Sequence, residues 1–368
     1  VTTKNGYITV ASEVGVWDYD PNDVIAKGRV GPGQMLVIDT LNGEVLDDQV
    51  ISNRLKKANP YRKWLREEAT RIRENEQIEE KLLEQGVRGE PLKALQKMFN
   101  ITNEERTEII RPNAENGQEP VGSMGDDTPM AVLSKQVRNV ADFFRQQFAQ
   151  VTNPPIDPLR ESIVMSLQTC LGAETNIFNP TPRDAHRIIL SSPVLSPSKM
   201  QQIEALDDPA FISQRIDINY DESLSLEVAI KQICEQVEQA ILDNKTLIIL
   251  SDKGIGKGKL PANAILVTGA VHHYLIEKGL RTDANLIIET GIARDSHQVA
   301  VLIGFGATCV YPYLAYDVIS DLVSSGELLG DPLQARANFR KGLDKGLVKI
   351  LSKMGISTIV SYRGAQLF

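Results

Sequence analysis

An α/β protein with a mostly parallel sheet, carrying a β-rich segment at its N-terminal end, is the architecture this sequence predicts. Three observations point to it. From about residue 186 onward, short apolar runs alternate with long helical periods. The run Thr246-Leu-Ile-Ile-Leu-Ser251 is apolar on both faces of the strand period, as a strand covered on both sides must be, and Ala284-Asn-Leu-Ile-Ile-Glu289 reads as a further strand. The first 50 residues instead alternate in short β-like stretches broken by Gly31-Pro-Gly33 and Asn42-Gly43.

Taken in order, Gly6–Ser12 and Gln34–Asp39 read as strands, and Asn42-Gly43 as the turn of a hairpin between 37–40 and 44–46. Tyr61–Glu74, the stretch around Lys81 and Leu92–Phe99 read as charged helices. Their Lys and Arg residues are interleaved with Glu, the pattern of a solvated helix face. Leu133–Val140, Ala141–Ala149 and Leu159–Leu171 are expected as helices, the last opened by Asp157 and Pro158. Between the last two, Pro154, Pro155 and Pro158 impose an extended path.

The α/β part then runs as follows. Strands are expected at Arg187–Leu190, Arg215–Asn219, 246–251, 284–289 and Ala307–Val310. Helices are expected at Ser196–Glu204, Leu226–Leu242, Ala262–Lys278, Ser296–Ile303 and Asp331–Met354. On the second of these helices Leu226, Ile230, Ile233, Val237 and Ile241 form the expected buried face. Either a barrel or an open doubly wound sheet satisfies this alternation.

Composition narrows the function classes. At 368 residues and 42% hydrophobic the chain can bury one large core with attached pieces, or two domains. A net charge of −8 argues against nucleic acid. No apolar run reaches a membrane span, and no signal peptide is visible. Cys170, Cys234 and Cys309 are too scattered for a zinc or iron–sulfur site and read as buried thiols. Val1 opens directly into strand-like sequence and Phe368 ends without a cap, so both ends read as cuts inside a longer polypeptide.

Five stretches carry the chemistry, each with a plainer alternative. Gly291-Ile-Ala-Arg-Asp295, between a strand and a helix, has the form of an anion-binding βα turn. Gly304-Phe-Gly306 could supply its second half. With Arg294-Asp295 filling it, the turn is expected to be vestigial. Gly254-Ile-Gly-Lys-Gly-Lys259 is followed by Leu260, not a hydroxyl residue, so it is a surface loop and not a phosphate loop. His272 and His273 are adjacent, so they point different ways and do not form a metal pair. Asp126-Asp127 precede Thr128-Pro129 and read as helix caps. Last, the Gly122–Asp127 and Gln150–Asp157 stretches gather small and hydroxyl side chains in rigid turns.

Several long runs resemble the glutamate synthase family: Lys27-Gly-Arg-Val-Gly-Pro-Gly-Gln-Met-Leu36, Pro120-Val-Gly-Ser-Met-Gly-Asp-Asp-Thr-Pro129, Phe148–Glu161, Gly269-Ala-Val-His-His-Tyr274, Met354–Ile359 and Ser361–Ala365. They are ordered as in the family and cover nearly the whole chain. The resemblance implies an enzyme that makes two glutamates from glutamine and 2-oxoglutarate, with an amidotransferase domain, a central domain and a flavin barrel. It implies FMN and an iron–sulfur cluster in domains absent here, and no cofactor bound by this stretch. It also implies a central domain that resembles a degenerate flavin barrel. Residues 1–50 would end the amidotransferase domain, 51–110 form a helical connector, 111–345 the central domain and 346–368 the approach to the flavin barrel. Alone, this stretch is expected to be inactive. Its partners would be the flanking domains and, for the parent enzyme, ferredoxin; its location the cytoplasm or a plastid stroma. The family's central domain helps line an ammonia tunnel, which puts Ser123, Met124, Thr152 and Asn153 forward as wall residues. The competing expectation is a free-standing flavin or phosphate-binding enzyme that uses Gly291, Arg294, Gly304 and Gly306.

Overall fold

In the computed structural model, residues 1–120, 133, 135, 137–147, 156, 157 and 159–368 are described. They fall into two units, Val1–Glu67 and Glu68–Phe368.

The smaller unit is built by local hydrogen bonding. The Asn42-Gly43 hairpin forms, pairing Val37–Asp39 with Glu44–Leu46. Gly43 takes a positive φ of 68°, which the tight turn demands. The Asp39 carboxylate accepts from the backbone N–H of Leu41 and Asn42 and from the Asn42 side chain, and these bonds, the Asn42 side chain first, hold its pKa below the usual range. Thr2–Thr3 pairs with Val24–Ala26. The expected strand Gly6–Ser12 is reduced to a single bridge at Ile8. Helix Asp48–Ala58 starts at Asp47, whose side chain accepts from the Val50 N–H.

The larger unit is organised by four parallel strands, β1 (Ser213–Asp217), β2 (Leu247–Ser251), β3 (Asn285–Glu289) and β4 (Cys309–Tyr311). Their order in the sheet is their order in the chain. The connections are α1 (Leu226–Leu242), α2 (Ala264–Glu277) and α3 (Ser296–Gly304). These three helices pack side by side in the same sequence. Sequential order means that the sheet winds in one direction, as a barrel does, and has no reversal point like a doubly wound sheet. The segment around Val194 adds a parallel bridge on the outer edge of β4, with Leu195 N–H donating to Val310 O at 2.9 Å. No pairing joins that segment to β1 among the described residues, so the arc stays open and no barrel closes. Every residue of β2 and β3 is buried. Each Leu or Ile side chain so buried contributes about 1.5–3 kcal/mol.

Two further helices complete the unit, α4 (Tyr313–Ser324) and α5 (Pro332–Met354). Gly355, at φ 68°, ends α5. Gly342 and Gly346 of α5 lie against Asn113 and Ser296, where any Cβ would overlap those side chains.

Several expectations are corrected. Asp217 accepts from both the backbone and side-chain N–H of Asn219, which breaks the strand expected over 215–219; Asn219–Asp221 turns away to pair with Lys259–Pro261. The expected helix Leu159–Leu171 is one short turn, Glu161–Val164, followed by the strand Thr169–Leu171 that pairs with Ile188–Leu190. The charged helix expected to reach Glu74 stops at Glu67, and Thr70–Arg71 joins the same small sheet. Of the helix expected at Ala141–Ala149, the described part is a 3-10 turn, Val140–Phe143, followed by an extended Phe144 and an irregular stretch to Gln147. Phe144 is drawn out of helix by packing on Phe305 and Phe368, with ring centroids 4.9 and 5.8 Å away. The helix expected at Leu133–Val140 lies largely outside the described residues; 137–139 are not helical. On α1, Ala229, Ile233, Cys234, Val237, Ala240 and Ile241 are buried, whereas Leu226 is exposed and Ile230 half-buried. Of the expected face Ile233, Val237 and Ile241 are thus buried, joined by Ala229, Cys234 and Ala240 beside them. Cys170 is exposed, because it alternates outward between buried Thr169 and Leu171.

Candidate functional site at the carboxyl ends of the parallel strands

In open α/β sheets and barrels, ligands gather where the parallel strands end. Here those ends carry Asp217, Ser251-Asp252 and Glu289-Thr290-Gly291.

Glu289 is buried, and three groups face its carboxylate. Arg215 forms an ion pair, the Ser251 hydroxyl donates, and Lys253 Nζ stands 3.8 Å away. Asp252 is buried too. It accepts from the Gly291 N–H at 3.0 Å and from the Thr290 hydroxyl. Burial dominates over those bonds and pushes its pKa up to about 7. At the rim, Asp217 pairs with Lys259 at 2.6 Å. Lys259, the last residue of the Gly254–Lys259 stretch expected as a loop, begins the strand that pairs with Asn219–Asp221.

The Gly291–Asp295 turn leads from β3 into α3. Its first N–H belongs to Asp252, as described. The α3 N-terminus is capped by Asp295, whose side chain accepts from the Gln298 N–H at 2.7 Å. Arg294 is 2% exposed. Its guanidinium donates to Glu105 at 2.7 and 3.1 Å and to the Phe99 carbonyl at 3.1 Å. The Phe99 ring closes over Gly291, 2.9 Å from where a Cβ would sit.

Gly304 and Gly306 lie at the other end of α3. Phe368 packs on Gly304, 2.5 Å from a Cβ position, and stacks on Phe305 with an interplanar angle of 7°. His272 packs on Gly306, which adopts φ 114°. The structure therefore places Gly291 and Arg294 at the strand ends and Gly304 and Gly306 elsewhere on α3, each against a different side chain.

The histidines serve packing contacts. His272 Nδ1 accepts from Arg281 Nε at 2.9 Å, and burial with that cation pushes its pKa down to about 4. His297 accepts from Gln146 and donates to the Ala141 carbonyl at 3.0 Å, the tautomer those partners dictate. His186 pairs with Asp208 at 2.9 Å. Among the described residues no three His, Cys, Asp or Glu side chains gather as a metal would require. None of their helices is long and apolar enough to cross a membrane.

Ser123, Met124, Thr152 and Asn153 lie outside the described residues, as do Asp126 and Asp127. The sequence reading passed over Asp252 and Glu289. The signal was available: a carboxylate follows closely on each of the two apolar runs, 247–250 and 286–288.

Comparison with known proteins bears on this arrangement. The description "Glutamate synthase central domain" matches residues 94–368, and "Glutamine amidotransferases class-II" matches residues 1–64. The large chain of NADPH glutamate synthase from Bacillus subtilis is 40% identical over all of this chain and 24% of its own length. Ferredoxin-dependent glutamate synthase from Pyropia yezoensis is 39% identical, again over all of this chain and 24% of its own. The chain thus spans about a quarter of the length of the curated relatives it matches. Among solved structures, a flavocytochrome b2 with pyruvate bound aligns at a TM-score of 0.29 and 15% identity, over 42% of this chain and 38% of that one, a slight likeness. The match over residues 94–368, three quarters of the sequence, settles the family: the chain belongs to the glutamate synthases, as their central domain preceded by amidotransferase sequence.

Proposed function

We propose that the chain is the non-catalytic centre of a glutamate synthase that makes two glutamates from glutamine and 2-oxoglutarate. It acts as the scaffold between an amidotransferase site and a flavin-dependent synthase site, and forms part of the wall of the path by which ammonia passes between them. Coupling is the physical purpose of such a wall, because ammonia released to water is protonated and lost to the reaction.

One observation carries the non-catalytic reading. The strand ends, where this architecture would hold a cofactor, are closed by the chain's own side chains. Asp252 takes the Gly291 N–H, Asp295 caps α3, Arg294 is committed to Glu105, and Phe99 covers Gly291. A flavin phosphate needs those N–H groups and that cation free. The residues present do not fit it, and the same contacts weigh against a free-standing flavin enzyme built on Gly291, Arg294, Gly304 and Gly306. On this reading the turn is vestigial. FMN titrated into the purified chain should give no bound flavin spectrum; a saturating flavin band would overturn the proposal.

Relatives of both kinds, NADPH and ferredoxin-dependent, match the chain. The ferredoxin-dependent type, in cytoplasm or plastid stroma, is our reading of the parent. Within the ammonia path we assign wall positions to Ser123, Met124, Thr152 and Asn153. Thr152→Leu in the native polypeptide should leave glutaminase activity and cut glutamine-dependent glutamate formation several-fold. Unchanged coupling between the two rates would remove Thr152 from the wall.

A further inference from the structure

A cleft of about 800 Å³ opens in the larger unit, between the 71–74 segment, the 165–168 segment and α5. Five cations and two carboxylates line it, in a chain whose net charge is −8. The two halves of that balance are arranged differently. On the cleft wall, Glu74, its side chain 35% exposed, serves two cations at once, Lys199 at 2.8 Å and Arg340 at 3.0 Å. The Lys199 side chain is 5% exposed, and its ammonium is held out of water by its share of that one carboxylate and by the Ser191 hydroxyl at 3.4 Å. The second carboxylate, Asp344, is occupied by the Ser192 hydroxyl. Nearer solvent, Arg71, Arg73 and Lys341 are exposed and make no ion pair among the described residues. The floor between these charges is apolar, formed by Ile72, Met165, Leu167 and Ile189.

Cations in a concavity with low-dielectric walls focus a positive potential on its interior. Guanidinium forks match carboxylate and phosphate oxygens pairwise. The volume lies in the range of small-molecule sites and is too small for a polymer. We propose that this cleft binds a small organic polyanion, carrying two or more carboxylate or phosphate groups on a short carbon body. The anionic groups engage Arg71, Arg73 and Lys341, with Lys199 and Arg340 behind them, and the carbon body rests on Met165 and Leu167. The neighbouring hollow, which shares Glu74 and Arg340 but is lined by Glu76, Glu79 and Glu80, repels the same ligand and gives the site one open side.

Calorimetry on the native polypeptide that carries this chain tests the proposal, with citrate and pyrophosphate as probes at constant ionic strength. Citrate should bind saturably, and pyrophosphate, which has no carbon body, several-fold more weakly. The double variant Arg71→Ser/Lys341→Ser changes only exposed side chains, so it should fold normally and weaken citrate at least tenfold. The control Lys56→Ser/Lys57→Ser, a pair of exposed cations on another helix, should leave it unchanged. No saturable heat with citrate up to about 10 mM, beyond the usual metabolite range, would overturn the proposal. So would equal losses in the two double variants, or tighter binding of pyrophosphate than of citrate.

Discussion

The two units use the same local grammar of turns and caps, yet only one of them has an interior. In Val1–Glu67 a hairpin turn and helix caps are in place, but Thr3 is its one buried residue. Val14 and Leu41 are more than nine-tenths exposed and Trp17 is 69% exposed. In Glu68–Phe368 the same kinds of cap frame a sheet whose central strands are wholly buried. The difference teaches that hydrogen-bonded caps and turns choose which elements form, whereas burial of apolar area makes them stable. The smaller unit coincides with the amidotransferase match. We read its exposed apolar side chains as one side of a core whose other side is supplied by further amidotransferase sequence.

The largest effect expected from this contrast is in the larger unit. Gly346→Leu would drive a side chain into Ser296 and Glu119, where no Cβ fits. Overpacking at a closed helix contact should cost about 3 kcal/mol or more. Far-UV circular dichroism would show it as a lowered melting temperature. Both tryptophans, Trp17 and Trp64, belong to the smaller unit. Their emission should therefore not follow that melting. If emission and dichroism shift together, the two units unfold as one and the contrast fails.

A second contrast lies in where charge is stored. The Asp39 carboxylate of the smaller unit is held by hydrogen bonds from its own hairpin turn, while Asp252 is sealed in the larger unit. Its folded pKa of about 7 lies above that of an unfolded aspartate. The folded state thus holds a proton that the unfolded state has released, and its stabilising effect is full below about pH 4. It is lost as pH rises through 7. Between pH 5 and 8 that loss amounts to about 2.5 kcal/mol. Asp252→Asn keeps an acceptor for the Gly291 N–H and removes the titration. Urea unfolding of the variant should show stability relative to wild type rising by that amount from pH 5 to pH 8. A constant difference across the range would mean that Asp252 does not hold its proton.

How much of this was legible in the sequence depended on how local the cause was. The strands at 247–251 and 285–289 were readable because runs of four and three consecutive apolar residues, 247–250 and 286–288, bounded by turn formers leave little choice. The α1 and α5 ends were readable from Ser225, Asp331 and Gly355. The α4 helix at 313–324 was not: Tyr311-Pro-Tyr-Leu-Ala-Tyr316 is rich in aromatics that favour strands, and only tertiary packing makes it helical. Thr169–Leu171 is a strand because Ile188–Leu190 lies beside it, a partner that no local window contains. The same holds for the sites. The glycine turn at 291 could be seen in the sequence, but not that Glu105, nearly two hundred residues earlier, would take Arg294. The cations of the cleft come from three separate stretches, and no motif gathers them.

The smallest expected effect is the one that separates the two units most sharply. Leu41, at the tip of the hairpin, is 95% exposed, so Leu41→Ser should change the stability of this chain by no more than about 0.5 kcal/mol, the ordinary range for a surface position. In the native polypeptide the same substitution should cost about 1–3 kcal/mol if Leu41 is packed against further amidotransferase sequence. Acrylamide quenching of Trp17 should follow the same pattern, strong in the chain alone and weaker in the native polypeptide. Equal, near-zero costs in the two settings would mean that Leu41 faces solvent in both, and that the missing half of this core lies on another side of the unit. A large cost already in the chain alone would mean that the unit holds an interior of its own, and the contrast between the two units would collapse.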